Sequence, residues 1–147
     1  MLIEVELFQV IITEGSPTQV IVLREKHGDR FFPIYIGFNE AMAIDNKLKD
    51  RQIPRPLTHD LMLSIIEHMG GKLVRIVLND LREETYFALL EIHRQNPFPP
   101  SGKAGSKDLE VIQVDSRPSD AVALAVRTEA PIFIEEQVLN RASTIAG

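Results

Sequence analysis

The segment from Asp115 to Ile134, DSRPSDAVALAVRTEAPIFI, constrains this chain most, because it sets a polar cluster at the start of an otherwise apolar helix. Val111, Ile112 and Val114 read as a short strand. Pro118 suits the first helical position, and Ala121, Val122, Leu124, Ala125 and Val126 carry the helix onward. Pro131 to Ile134 then reads as a short buried strand. Asp115, Arg117, Ser119 and Asp120 therefore meet at a strand-to-helix junction. Backbone N–H groups there lack partners and the helix dipole favours an anion, so a phosphate and a structural carboxylate are both suited to the place.

The rest of the chain predicts a sheet that begins at once. Leu2 to Thr13 is rich in β-branched and apolar residues, and Gln19 to Arg24 continues the pattern after the turn at Gly15, Ser16 and Pro17. A second turn at His27 to Asp29 leads into a third strand over Phe31 to Ile36. Asn39 is the expected N-cap of a helix reaching about Lys49, with Ala41, Ile44 and Leu48 on its inner face. Thr58 opens a second helix, capping it, and Gly70 and Gly71 stop it. Lys72 to Leu81 and Thr85 to His93 should pair antiparallel across a turn at Asn79 to Glu84. Residues 96–107 form a surface loop by composition, and Glu135 to Ala142 a terminal helix. The expected fold class is α+β: a mixed, largely antiparallel sheet with three or four helices in one compact domain over residues 1–147.

Composition narrows the function. The chain has 147 residues, 44% of them apolar, no cysteine and a net charge of −5. It is long enough for one cored domain, and it has no apolar run of the roughly 18 residues that a membrane span needs. A cytoplasmic protein with no membrane contact is expected. The acidic balance argues against holding nucleic acid by a broad basic surface. Lys47, Lys49 and Arg51 are interleaved with Asp45 and Asp50, which reads as a solvated helical face. Phosphate-binding loops, dinucleotide fingerprints, HExxH pairs and GxSxG elbows are all missing from the sequence. With no Trp, stacking on single strands would fall to residues such as Phe31, Phe32 and Phe38, which are expected in the core.

Each polar candidate has a structural and a chemical reading. Asp115 and Asp120 either converge on a metal or bracket Arg117 in an ion network. Asp60 and Glu40 oppose helix dipoles, or face a site shared by several helix N-termini. His59, near a helix N-terminus, is either a structural residue or a general base or ligand. Arg55 and Arg117 each precede a proline, on extended backbone at a helix start suited to gripping a phosphate or a carboxylate. Arg127 points either into this cluster or to solvent.

The same segment, together with PIYIGFNEAMAI from Pro33 to Ile44 and RPLTHDLM from Arg55 to Met62, resembles the bifunctional nuclease domain family over about Val5 to Val138. The resemblance implies a nuclease that hydrolyses phosphodiester bonds of both DNA and RNA without strong sequence preference. On that implication Asp60, Asp115 and Asp120 are expected to hold Mg²⁺ or Mn²⁺. His59 would orient or deprotonate water, making His59, Asp60 and Asp120 the catalytic set. Arg55 and Arg117 would bind phosphate and Ser119 would steady the site. A homo-oligomer is expected. The competing readings are a non-catalytic oligomeric interaction module and a small anionic-ligand sensor, each with a structural Asp/Arg network.

Overall fold

Strands β2 (Thr18–Glu25) and β3 (Phe31–Gly37) show how the sequence builds the core. Their inward residues pair across the ladder as Gln19 with Ile36, Ile21 with Ile34 and Leu23 with Phe32, and all six are buried. That alternation puts every second residue on the apolar side. The structure is a computed structural model describing residues 1–96, 98 and 108–146. The loop expected at 96–107 lies, apart from Asn96 and Phe98, outside the described residues.

Seven strands form one sheet in the order β3-β2-β1-β7-β4-β5-β6. β1 spans Leu2–Ile11, β4 Gly71–Arg82, β5 Thr85–Gln95, β6 Leu109–Ser116 and β7 Ile132–Glu135. All neighbours are antiparallel except β4 and β7, which run parallel. Among the described residues the helices are α1 (Phe38–Leu48), α2 (Thr58–His68), α3 (Pro118–Thr128) and α4 (Glu136–Ala146). This is the expected α+β class.

The sheet is curled. β3 and β5 stand five places apart in the strand order, which in a flat sheet would separate them by about 24 Å. Yet the rings of Phe32 on β3 and Tyr86 on β5 stack with centroids 6.2 Å apart. The concave side holds α3, whose Ala121, Val122, Ala123 and Leu124 are fully buried, with α1 and α2 packed on it. α3 is apolar on all sides because it has protein on all sides. α4 packs on β3, β4 and β7 through Val138 and Leu139. No helix among the described residues is long and apolar enough to cross a membrane.

Several boundaries differ from the sequence reading for local reasons. Gly37, not Asn39, is the N-cap of α1. Leu57, not Thr58, is the N-cap of α2, because Asp60 Oδ2 accepts the Leu57 N–H at 3.0 Å and so supplies the cap from inside the helix. The β4–β5 turn is shorter than Asn79 to Glu84: Glu83 and Glu84, with φ of 49° and 67°, are its only non-strand residues. Two left-handed residues match the strand twist of a two-residue hairpin, even though neither is the usual Asn or Gly. Gly70, with φ of 82°, ends α2 as expected. Of the three phenylalanines expected in the core, only Phe32 is buried; Phe31 and Phe38 stand half exposed.

Replacing Leu124 with Ala should destabilise the protein by about 3 kcal/mol, since α3 is enclosed and the cavity has little means to collapse. Urea denaturation reads this directly. A cost below about 1 kcal/mol would contradict the central place given to α3.

Candidate functional site

Helices α1, α2 and α3 share one feature that periodicity did not reveal: each carries an acid at its third helical position, Glu40, Asp60 and Asp120 respectively. An acid there opposes the positive end of the dipole and can reach back over the first turn. The N-termini of all three helices meet at a cavity of about 320 Å³, lined by Asn39, Glu40, Leu57, Thr58, His59, Arg117 and Asp120. Each terminus brings backbone N–H groups without helical partners.

Asp120 is the hub. Its Oδ1 lies 2.9 Å from His59 Nε2 and accepts from an Arg117 terminal nitrogen at 3.2 Å, while its Oδ2 accepts from Arg117 Nε at 2.8 Å. Arg117 also donates to Glu40 Oε1 at 3.5 Å, a looser contact. Gly37 permits it, since the Glu40 carboxylate folds back into the space that a side chain at 37 would fill. Burial raises the Asp120 pKa, but the hydrogen bonds and charges of Arg117 and His59 outweigh it and hold the carboxyl below its ordinary 3.8. Arg117 is raised by the same contact and stays cationic. With 64% of its side chain exposed, it keeps donors toward solvent.

Asp60 has a different partner. Its Oδ1 accepts from Arg127 Nε at 2.9 Å, and Arg127, 4% exposed, also donates to the carbonyls of Ala123 and Ala43 at 2.8 and 3.0 Å. This guanidinium pins α1, α2 and α3 together, so the open question about Arg127 resolves toward the interior. Burial raises the Asp60 pKa, and the Leu57 N–H and Arg127 bring it below 3.8.

The structure thus brings His59, Asp120, Arg117 and Glu40 together. Ser119 is buried at the start of α3 beside them. Asp115 does not join: it pairs with Leu89 on β5, between the buried Ala88 and Leu90, so the pleat turns it to the opposite sheet face. Arg55 stands exposed in the α1–α2 connection, outside the cluster. Among the described residues, no three His, Asp or Glu side chains could together hold a metal ion. The trio Asp60, Asp115 and Asp120 does not fit one, since Arg127 engages the first and the second faces away. Lys47, Lys49 and Arg51 pair with Asp50 and Asp45, as a solvated face would.

The model of the bifunctional nuclease domain matches residues 21–146. An uncharacterized protein of Mycobacterium tuberculosis is 37% identical over 142 residues, 97% of this chain and 77% of that protein. Bifunctional nuclease 1 of Oryza sativa subsp. japonica is 24% identical over 128 residues, 86% of this chain and 36% of the plant protein. Bifunctional nuclease 2 of Arabidopsis thaliana is 26% identical over 122 residues, 82% and 34% respectively. The chain spans about a third of the length of these plant relatives.

Both carboxyls have folded pKa values below the unfolded one, so their stabilisation is present above about pH 4 and lost as pH falls through the folded values. The midpoint of thermal unfolding should drop on acidification below about pH 4, and less steeply in Asp60→Asn and Asp120→Asn. Asp60→Asn should also cost about 2 kcal/mol at neutral pH by leaving Arg127 without its counter-charge. Solvent at Asp60 keeps this under the roughly 3–5 kcal/mol of a fully buried pair.

Proposed function

Because the chain belongs to the bifunctional nuclease domain family, we propose that it is itself a nuclease hydrolysing phosphodiester bonds of DNA and RNA, and that the cavity between the three helix N-termini is where it acts. The convergence of those termini on Arg117 and His59 carries this reading. Three dipoles and a guanidinium favour a phosphate at one point, although the chain as a whole is acidic. Recognition of backbone phosphate alone fits action on both nucleic acids without strong sequence preference.

In this reading the phosphate docks on the free donors of Arg117 and on helix N–H groups, where charge developing on its oxygens is stabilised. Asp120 fixes the His59 imidazole. With the proton of Nε2 directed at the carboxylate, Nδ1 is left to take a proton from the attacking water. The water oxygen bonds to phosphorus, the bond to the leaving sugar oxygen breaks, and that oxygen leaves as a hydroxyl by taking a proton from solvent, to which His59 gives up its own.

The expected Mg²⁺ or Mn²⁺ remains part of the proposal with a smaller ligand set. Mg²⁺ retains several waters and is commonly held by one or two carboxylates plus substrate phosphates; Glu40, held only by its 3.5 Å contact with Arg117, is the carboxylate of the cavity that would be free to turn to it, whereas Asp120 is engaged by Arg117 and His59. When bound, such a cation would act as a Lewis acid on the phosphoryl oxygens. The lack of cysteine supports a cytoplasmic setting. A homo-oligomer is supported by Leu57, Leu61, Ile65 and Met69, which repeat every fourth residue along α2 and its two caps and stay exposed.

Purified protein should cleave labelled DNA and RNA, stop in chelator and resume with Mg²⁺ or Mn²⁺. Asp120→Asn and His59→Ala should each lower kcat by about 10²-fold or more, the scale of a lost general base. Each variant is checked for folding by circular dichroism. Full turnover in a folded Asp120→Asn protein would sink the assignment, and full turnover in chelator would remove the cation from it.

A further inference from the structure

Strands β1, β2 and β3 carry an apolar outer face. In an antiparallel sheet with its core on one side, the residues that point away are ordinarily polar. Here the buried Gln19, Ile21 and Leu23 turn Val20, Val22 and Arg24 outward on β2. On β3 the buried Phe32, Ile34 and Ile36 likewise turn Phe31, Pro33 and Tyr35 outward. The register sets Val20 against Tyr35, Val22 against Pro33 and Arg24 against Phe31, so these six form one patch. β1 extends it, with Ile11 beside Val20 and Gln9 beside Val22. The Phe8 ring, at a bulge in β1, meets that of Phe31 edge-on with centroids 5.1 Å apart.

The patch is open and large. Phe8, Ile11, Phe31 and Tyr35 are 48, 41, 45 and 68% exposed. A whole aromatic side chain has roughly 150–250 Å² to bury, so the three rings alone leave about 300 Å² in water. Ile11 and the half-buried Val20, Val22 and Pro33 add to it. A protein interface of standard size covers about 800 Å² on each partner, of which roughly 57%, or about 450 Å², is apolar. The patch is on that scale.

Its charge points to the partner. The ionised residues of the patch, Arg24 and Glu6, neutralise each other at 2.8 Å, and the Arg24 guanidinium lies 4.7 Å over the Phe8 ring. A patch without net charge offers little to the phosphates of a nucleic acid. It can meet its own copy without like-charge repulsion, although each molecule carries a net charge of −5. Pro33, in the middle of edge strand β3, interrupts the donors of the free edge, so the surface on offer is the face and not the edge.

We propose that this outer face of β1, β2 and β3 packs on the same face of a second copy of this chain across a two-fold axis, as the two sheets of a β-sandwich pack. The contact is distinct from the exposed row on α2, which packs with α3 on the concave side of the sheet. It draws nothing from the nuclease reading.

Sedimentation equilibrium, from dilute to concentrated protein, is measured for the wild type, for the double variant Phe31→Glu with Tyr35→Glu, and for Leu61→Glu. A two-fold contact joins copies in pairs, so the double variant should have half the mass of the wild-type assembly. Leu61→Glu should still leave at least a dimer. Both sheet positions are exposed, so the double variant should keep its fold, which circular dichroism checks. Because the chain has no cysteine, Gln9→Cys places a single thiol on the face. A short bismaleimide, able to span the roughly 10 Å between face-packed sheets, should join two such chains. Adding Phe31→Glu and Tyr35→Glu should abolish that cross-link. A wild type that sediments as a monomer at every concentration, or a folded double variant with the wild-type mass, would overturn the contact. Loss of all association in Leu61→Glu alone would also overturn it, by assigning self-association to α2.

Discussion

Everything in this fold depends on enclosing α3. A helix whose Ala121 to Leu124 are all buried has no solvent face, so the sheet must wrap it on one side and α1 and α2 must cover it on the other. Its alanines let those neighbours approach closely. Its first turn cannot be buried in the same manner, because the unpaired N–H groups there need polar company. The polar junction from Arg117 to Asp120 is therefore the open end of the most buried element, and the starts of α1 and α2 gather around it.

Two arginines divide the work at that end. Arg127, almost without solvent contact, joins Asp60 to the backbones of α1 and α3 and holds the three helices in register. Arg117, largely exposed, joins Asp120 to Glu40 at the surface. The same pairing of guanidinium and third-position acid is structural in one case and reachable by a ligand in the other. Burial makes the difference.

The elements were legible from the sequence because their signals are local: alternation in β2 and β3, helical spacing in α2, Pro118 at the start of α3. The approximate meeting of His59, Arg117 and Asp120 was legible too, since each lies at a predicted helix start. Strand pairing decides what was not. Asp115 lies only five positions before Asp120 in the sequence, but the pleat of β6 against β5 turns it away. The contact of Arg127 with Asp60 spans 67 residues and depends on how α2 lies over α3, which no periodicity encodes. Phe31 was assigned to the core by its hydrophobicity, whereas its register opposite Arg24 sets it outward, where its ring meets that of Phe8 edge-on.

The weakest link at the open end, between Arg117 and Glu40 at 3.5 Å, has a consequence of its own. The guanidinium is shared by two carboxylates, so an anion at its remaining donors competes with the weaker of them. In the proposed reading the phosphate would be exchanged for the loosely held Glu40 while Asp120 keeps its grip. Such an exchange adds only the difference between two similar ion contacts and so holds its guest lightly. A cleaved phosphodiester would leave a terminal phosphate of higher charge than the diester, and in the proposed reading the return of Glu40 over Gly37 would help to expel it by like-charge repulsion.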